Sequence, residues 1–291
     1  MFPSLGALAV AGILGLLLVI LGDIVVHGAP ALSWSFLSRA PADGMRGGGI
    51  FPAIFGTMAL VGLMTVAVLP LGVGCAIYLS EYARRGSLWV SVVRHALENL
   101  AGVPAIVFGL FGLGFFVQFA GRNLDLLLFG GSLVYGQPAI VWAALTLAVL
   151  TLPTVVVTTE EALRAVPQSY REVALALGAT RWQTIRRVVL PNATSGILTG
   201  TILAISRGGG EVAPIMFTGA AYFLPYLPTH LNDQFMVLGY HVYVMATQSP
   251  DVEATKPLLY GTVLVLLLLT FTLNLAAVVI RTRIRRRLRG R

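Results

Sequence analysis

Six long apolar stretches constrain the fold of this chain more than any other feature. They cover about residues 5–26, 51–79, 100–119, 139–157, 196–221 and 258–280. Each is close to the ~20 residues that an α-helix needs to cross a bilayer. With 57% apolar residues, 11% charged residues and a mean hydropathy of +0.85, the chain could not cover a water-soluble surface. We therefore predict an all-α, polytopic membrane protein with six transmembrane helices.

The positively charged residues give these helices an orientation. Fifteen arginines fall on one side of the membrane: Arg84, Arg85, Arg94, Arg164, Arg171, Arg181, Arg186, Arg187, Arg281, Arg283, Arg285, Arg286, Arg287, Arg289 and Arg291. The other side carries Arg39, Arg46, Arg122 and Lys256, and Arg207 lies within a stretch. The positive-inside rule predicts that both termini are cytoplasmic. The basic tail, residues 281–291, directly follows a membrane helix, which favours anionic lipid headgroups over nucleic acid as its partner.

Residues that usually carry chemistry are sparse in this sequence. The single cysteine, Cys75, lies in an apolar stretch, and the four histidines have no metal-ligand spacing. Lys256 is the only lysine and no glycine-rich loop precedes it, so the phosphate-binding loop of an ATPase is absent. We expect no catalytic residue, no metal site and no cofactor bound by this chain. If ATP drives the protein, another chain hydrolyses it.

A long polar stretch from Thr158 to Pro191 separates the fourth and fifth apolar stretches. Two pairs have the three-residue spacing of a helix capping box: Ser169 with Glu172, and Thr180 with Gln183. Gly178 is placed to end a first helix in the left-handed conformation, and Pro191 to stop a second. Apolar residues recur at helical spacing in both parts: Tyr170, Val173, Ala174 and Leu177, then Trp182, Ile185 and Val189. We predict an amphipathic hairpin of two short helices.

The hairpin has more than one interpretation. A DNA-binding helix-turn-helix is disfavoured, because apolar stretches long enough to span a bilayer flank it on both sides. A membrane-surface loop without a partner stays open. Its sequence also keeps the spacing of the EAA loop of ABC importer permeases, which it resembles at Glu172-Val173-Ala174, Gly178, Val188 and Leu190-Pro191. In that family the helix of this loop docks into a cleft on the ATPase. The resemblance implies that five residues couple to the ATPase: Glu172, Ala174, Gly178, Leu190 and Pro191.

The fifth apolar stretch contains a second polar interruption, from Ser206 to Pro214. An arginine and a glutamate inside a span cost about 2.5–3.5 kcal/mol each, so Arg207 and Glu211 need a partner or water. At this spacing they can pair with each other, and a structural ion pair stays open. The glycine triplet between them permits a broken helix whose free amides, with a guanidinium, would bind an oxyanion. The candidate anion site is Arg207, Gly208, Gly209, Gly210 and Glu211.

Two further phrases strengthen the resemblance. The interruption is similar to the Arg-Ala-x-Gly-Glu-Thr-Ala-Pro pattern of phosphate importer permeases, from which Gly208 and Val212 depart. Residues 238–246 resemble the external loop of the PstA-type permease, with Gly239 where a proline is common. An aromatic belt at the membrane interface would explain the same loop, as would a surface for a binding protein.

The resemblance implies a PstA-type permease subunit of a phosphate ABC importer in a bacterial inner membrane. The whole chain would be a single type I permease domain, with a core at about residues 51–280, the coupling loop at 158–191 and the basic tail at 281–291. The implied partners are a PstC-like second permease, two PstB-like ATPase subunits that use ATP and Mg²⁺, and an external PstS-like phosphate-binding protein.

Other functions remain open at this stage. Within the family, the chain could be a permease for another oxyanion or the sister PstC-type subunit. Outside it, an autonomous ion-coupled transporter or channel would use Arg207 and Glu211 as a relay.

Three smaller expectations concern local structure. We expect Glu160 and Glu161 to lie on a solvated helix face. The small residues Gly109, Gly112 and Gly114 are expected to let helices approach closely. Residues 28–50, rich in glycine, serine and proline, are expected to have little structure of their own.

Overall fold

The computed structural model describes residues 2–42, 47–84, 86–249 and 251–289. Arg46, Arg85 and Arg291, which contribute to the predicted orientation, lie outside these residues. Within them the helices are α1 (Phe2–Gly28), α2 (Trp34–Ser38), α3 (Phe51–Ile77), α4 (Leu88–Gly102), α5 (Ala105–Phe111), α6 (Arg122–Leu128), α7 (Ile140–Arg164), α8 (Gln168–Ala176), α9 (Arg181–Thr184), α10 (Leu190–Gly208), α11 (Leu238–Thr247) and α12 (Val252–Arg289). Ala29–Ala31 is a 3₁₀ turn, and three segments are π-helical: Tyr78–Tyr82, Gly112–Gly121 and Ile185–Val189. Strands β1 (Pro41–Ala42) and β2 (Gly47–Gly48) pair antiparallel, with Pro41 opposite Gly48.

Six helical runs of the described residues are long and apolar enough to cross a membrane. They are Gly6–Ala31, Phe51–Tyr82, Ala105–Leu128, Ile140–Arg164, Arg181–Gly208 and Glu253–Arg286. The prediction of an all-α protein with six transmembrane helices is confirmed.

The boundaries of two predicted spans are wrong. The third was placed at about residues 100–119, but α4 ends at Gly102 and a new helical run starts at Ala105. Val103 between them is extended, with φ −72° and ψ 132°, because the ring of Pro104 disfavours helical backbone at the residue before it. The fifth was placed at about residues 196–221, whereas its helical run extends from Arg181 to Gly208.

One compact unit consists of Met1–Gly56, Ala221–Leu227 and Met236–Leu269. Its core contains Phe36, Ile50, Ala53, Leu224, Met236, Leu238 and Val265. The expectation that residues 28–50 have little structure is wrong for the described part. The Ser33 hydroxyl accepts the amide of Phe36 at 3.1 Å and so starts α2. Phe36 is 3% exposed, and burial of this ring fixes a connection that composition alone would leave loose.

The other compact unit consists of Thr57–Ala220, Pro228–Phe235 and Thr270–Arg291. Helix α7 is its centre, with 67% of its most apolar window buried. Glycines bring α10 close to α7, since a side chain at Gly196 or Gly200 would overlap Ala162 or Thr158.

The expected packing role of three glycines is confirmed for two of them. A side chain at Gly109 would press on the backbone of Ala213 and Pro214, and one at Gly112 would overlap Thr146. A side chain at Gly114 would meet open space, so the packing expectation is wrong there. Sequence spacing alone does not determine which side of a helix faces a neighbour.

Candidate functional site

The candidate coupling loop begins with a helix that ends where the sequence predicts. Helix α8 closes at Ala176, and Gly178 follows with a φ of +84°. The amide of Gly178 donates to the carbonyl of Leu175 at 3.0 Å, and that of Ala179 to the carbonyl of Ala174 at 3.1 Å. These bonds form a Schellman motif, in which glycine adopts the left-handed conformation at little cost.

One of the two predicted capping boxes forms. The Thr180 hydroxyl accepts the amide of Gln183 at 3.3 Å, and the Gln183 side chain accepts the amide of Thr180 at 2.8 Å. The box predicted for Ser169 and Glu172 is wrong. Pro167, with φ −55° and ψ 137°, takes the capping position without a side-chain bond, so Ser169 already lies inside α8.

Pro191 does not stop the second helix, so that prediction is wrong as well. Helix α9 passes through the π-helical turn Ile185–Val189 into α10 without a break. The amide of Leu190 donates to the carbonyl of Ile185 in this wider turn. Pro191 directly follows this turn, and the helix continues through it.

The apolar residues predicted for the hairpin divide between a core and an exposed face. Ile185 and Val189 are buried, with exposures of 1% and 0%. Tyr170, Val173 and Leu177 are 50%, 59% and 83% exposed, and we call these three residues the α8 apolar face. Glu172 is also exposed, whereas Ala174 is buried. The hairpin therefore leaves an apolar helix face without a partner among the described residues.

A buried ion pair attaches this helix to the end of α3's helical run. A guanidinium nitrogen of Arg171 lies 2.7 Å from a carboxylate oxygen of Glu81, and the side chains are 12% and 9% exposed. Arg171 also donates to the carbonyls of Val166 at 2.7 Å and Leu163 at 2.8 Å. Each of these groups is satisfied, so α8 is held rigidly.

A second arginine joins the same point. Arg181, the first residue of α9, donates to the backbone carbonyl of Glu81. Its guanidinium lies 5.2 Å from the centre of the Tyr82 ring, within the range of a cation–π interaction. We call Glu81, Tyr82, Arg171 and Arg181 the Glu81 clamp. Sequence reasoning used these arginines only for orientation and missed the clamp, because its contacts join residues 90 and 100 positions apart.

The expectation that Glu160 is solvated is wrong, whereas Glu161 is exposed. Glu160 is 8% exposed. One of its carboxylate oxygens accepts hydrogen bonds from Arg94 and Arg164, each at 2.5 Å. The pair Arg94–Glu160 therefore ties α4 to α7, beside the coupling loop.

The candidate anion site is at the end of α10 rather than in the middle of a span. Helix α10 ends at Gly208, one residue after Arg207. The Nε atom of Arg207 donates to Glu211 at 3.3 Å, and the side chains are 40% and 23% exposed. Among the described residues, Glu211 is the one partner of this guanidinium. The guanidinium of Arg171, by contrast, donates several hydrogen bonds. Arg207 thus keeps donors available for an anion.

The glycine triplet does not supply free amides, which corrects the predicted nest. The amide of Gly209 donates to the carbonyl of Ile205 at 3.0 Å, and that of Gly210 to the carbonyl of Arg207 at 3.2 Å. These bonds close the helix. A side chain at Gly208 would overlap Met64, so Gly208 serves the packing of α10 on α3. Of the five residues predicted for the anion site, only the side chains of Arg207 and Glu211 therefore remain as candidate contacts for a ligand.

Sequence reasoning missed two polar contacts between α12 and α10. The Asn274 amide donates to the Ser206 hydroxyl at 3.2 Å, and Arg281 donates to the Thr199 hydroxyl at 2.9 Å. Asn274 therefore contacts Ser206, the residue directly before Arg207. An amide side chain in an otherwise apolar stretch was the signal that pointed to it.

Comparison with curated proteins finds relatives over most of this chain. The family described as binding-protein-dependent transport system inner membrane component matches residues 69–290. The probable ABC transporter permease protein YqgI of Bacillus subtilis is 32% identical over 284 residues, which cover 93% of this chain and 90% of that protein. The phosphate transport system permease protein PstA of Yersinia pestis is 35% identical over 266 residues, covering 91% and 83%.

Solved transporters share the fold. A chain of the bacterial alginate ABC transporter, solved with a periplasmic protein, matches with a TM-score of 0.67 and 16% identity, covering 94% of this chain and 92% of that one. A chain of the inward-facing MetNI methionine ABC transporter matches with a TM-score of 0.57 and 17% identity, covering 80% and 94%. Since the family model and the relatives above 30% identity cover most of the sequence, this multi-pass membrane chain belongs to the binding-protein-dependent transport system inner membrane components, the permeases of ABC importers.

Proposed function

We propose that the chain is the membrane-spanning permease subunit of an ATP-driven phosphate importer, forming half of the translocation pathway. The relatives named PstA support phosphate as the substrate. The partners are a PstC-like second permease, two PstB-like ATPase subunits and an external PstS-like phosphate-binding protein. ATP and Mg²⁺ are used by the ATPase subunits.

The observation that carries this proposal is the α8 apolar face. Three large side chains at helical spacing are exposed, on a helix held by a buried ion pair. A contiguous apolar surface that the chain leaves uncovered is typical of a protein interface. Its rigid attachment keeps the ordering cost of docking low. We assign this face to the ATPase subunit.

The Glu81 clamp supplies the mechanical connection in this mechanism. It joins both helices of the coupling loop to the π-helical turn that continues α3. A movement of α8 caused by ATP binding to the partner is transmitted to a membrane-spanning helix through this clamp. The membrane-spanning run that begins with α3 then moves with the ATPase, and this movement switches the translocation pathway between outward and inward access.

Arg207 is the group that meets the anion on its path. Its side chain is 40% exposed and shares one bond of 3.3 Å with Glu211, so the guanidinium can bind two oxygens of phosphate without losing a strong internal partner. The competing interpretation, a structural pair, predicts that both charges can be removed together without loss of transport.

Both termini and the coupling loop lie in the cytoplasm in this proposal, because the arginine-rich side faces inward. A reporter fused after Arg291 tests the orientation. It should be active in the cytoplasm and protected from protease added to intact cells. External cleavage of the fusion would reverse the assignment of α8 to the ATPase side.

The function is tested by a charge on the α8 apolar face. Val173→Asp should leave folding unchanged, since the side chain is 59% exposed, but should abolish co-purification of an ATPase and ATP-dependent phosphate uptake. Leu133→Asp, at a leucine 66% exposed outside the candidate spans, is the matched control and should retain both. Purification without any ATPase, with uptake intact, would instead favour an autonomous ion-coupled transporter.

A further inference from the structure

A second feature is formed partly by residues of the Glu81 clamp, but the mechanism above assigns it no ligand. An open cleft of about 1080 Å³ is lined by the turn after α3, by α4 and by the coupling loop. Among the described residues, five arginines line it: Arg84, Arg94, Arg164, Arg171 and Arg181. We call this the arginine cleft.

The carboxylates near the cleft do not balance these arginines. Glu81 pairs with Arg171, and Glu160 divides one oxygen between Arg94 and Arg164. Five guanidinium groups therefore share two carboxylates, which leaves an excess of three positive charges. Arg84 is exposed and makes no ion pair within the part of the chain that the structure describes.

The arginines of the cleft are placed so that they can bind an oxyanion. Arg94 and Arg164 are 36% and 59% exposed, so each can turn donors toward a ligand while keeping its bond to Glu160. A guanidinium presents paired donors that match two oxygens of a phosphoryl group. A phosphoryl group, whether free or on a lipid headgroup, carries its negative charge on several oxygens that these donors can share.

Helix α4 connects the cleft with the membrane surface. Val90 and Arg94 line the cleft. Leu88, Trp89 and Val92 are 83%, 77% and 57% exposed. An amphipathic helix with an exposed tryptophan beside arginines is typical of the headgroup region of a bilayer.

We propose that the arginine cleft is a binding site for a phosphoryl group, supplied either by an anionic phospholipid headgroup or by free inorganic phosphate. The site rests on the cytoplasmic orientation proposed above, but not on transport or on ATP. A bound headgroup would bridge α4 and the coupling loop, and so would fix the position of the Glu81 clamp relative to the membrane.

The test measures lipid binding without turnover. The complex purified from its own membranes is delipidated and exposed to vesicles of phosphatidylcholine with or without phosphatidylglycerol, and retained lipid is counted by native mass spectrometry. The intact protein should retain phosphatidylglycerol selectively. Arg84→Gln should weaken this about fivefold, the effect of ~1 kcal/mol for one arginine near a membrane surface. Arg186→Gln, at an exposed arginine of the same loop outside the cleft, is the matched control and should reduce retention clearly less than Arg84→Gln does.

Separate arms distinguish the sources. Displacement of phosphatidylglycerol by inorganic phosphate supports a site that accepts the free anion. Resistance to phosphate supports the headgroup. If Arg84→Gln has a small effect, the double variant Arg84→Gln, Arg164→Gln must lose selective retention. Equal retention in this double variant and in Arg186→Gln would overturn the proposal, since the attraction would then be general to the basic surface. Cross-linking of the variant Arg84→Cys to the ATPase through its new thiol, in the assembled complex, would also overturn it.

Because this assay uses neither ATP nor uptake, its failure would leave the proposed transport function standing. Loss of ATPase binding in Val173→Asp would likewise leave lipid retention unchanged. The two proposals can therefore fail separately.

Discussion

Breaking the Glu81–Arg171 pair from one side should destabilise the protein more than removing both charges. The ion pair is short, at 2.7 Å, and its side chains are 12% and 9% exposed. In Arg171→Leu the buried carboxylate loses all three of its recorded side-chain hydrogen bonds. An uncompensated charge of this kind costs about 3–5 kcal/mol.

The double variant Glu81→Leu, Arg171→Leu removes both charges of this pair. It still loses the bonds from Arg171 to the carbonyls of Leu163 and Val166, which at about 1 kcal/mol each amount to roughly 2 kcal/mol. Arg171→Leu loses these carbonyl bonds as well, so its total cost is roughly 5–7 kcal/mol. At about 2–4 °C per kcal/mol, the single variant should lower the melting temperature by at least about 10 °C and the double variant by about 4–8 °C.

Thermal melting of the purified complex measures the difference. A matched control is Lys256→Gln, which breaks the exposed pair Glu253–Lys256, 3.9 Å apart with side chains 84% and 51% exposed. It should change stability by less than about 1 kcal/mol. A double variant as unstable as the single one would refute the reasoning, because the loss would then not come from an unpaired charge.

The same double variant tests transmission. If the clamp carries movement from α8 to α3, the double variant should bind and hydrolyse ATP while phosphate uptake per ATP falls. Uptake per ATP equal to that of the unmodified protein would remove the clamp from the mechanism, whatever its effect on stability.

Three further changes have definite expected outcomes. Gly178→Val should cost about 1–2 kcal/mol from its φ of +84° alone, and should reduce ATPase coupling, whereas Gly130→Val, strained at a φ of +60° outside the coupling loop, should not. Arg207→Leu with Glu211→Leu should assemble but lose phosphate uptake, and Arg207→Lys should be partly active because it lacks the planar fork. His241 lies outside the candidate spans, and burial lowers its pKa from 6.5 to about 4. Since the fold favours the neutral ring, about 3 kcal/mol of stability is present above pH 6.5 and is lost as the pH falls toward 4. The variant His241→Gln should lose less stability over the same fall in pH.

Each of these outcomes has a result that contradicts it. Normal coupling in Gly178→Val would show that the helix end does not position the docking face. Uptake by the Arg207, Glu211 double variant, normalised to assembled complex, would leave Arg207 a structural residue. Melting curves of the His241 variant that shift with pH as much as those of the unmodified protein would assign the acid sensitivity to other groups.

The sequence by itself determined what depends on local backbone chemistry and on long apolar runs. Six runs near bilayer length predicted six spans, because lipid offers no hydrogen-bond partners and an α-helix satisfies its own backbone groups. Gly178 and the Thr180 capping box were predicted correctly, since each rests on bonds within a few residues. The capping box predicted for Ser169 did not form, and the cause is also local, because Pro167, two residues earlier, takes the capping position.

Only the tertiary structure decided which polar groups meet. Glu81 and Arg171 are 90 positions apart and Arg94 and Glu160 are 66 apart, so their pairing depends on helix packing that no local pattern encodes. The amides of the glycine triplet were expected to be free, but a helix that ends at Gly208 uses two of them to satisfy its own last carbonyls. Charge and apolarity along a sequence predict which residues seek water, lipid or a partner, whereas the packing of the helices selects the partner.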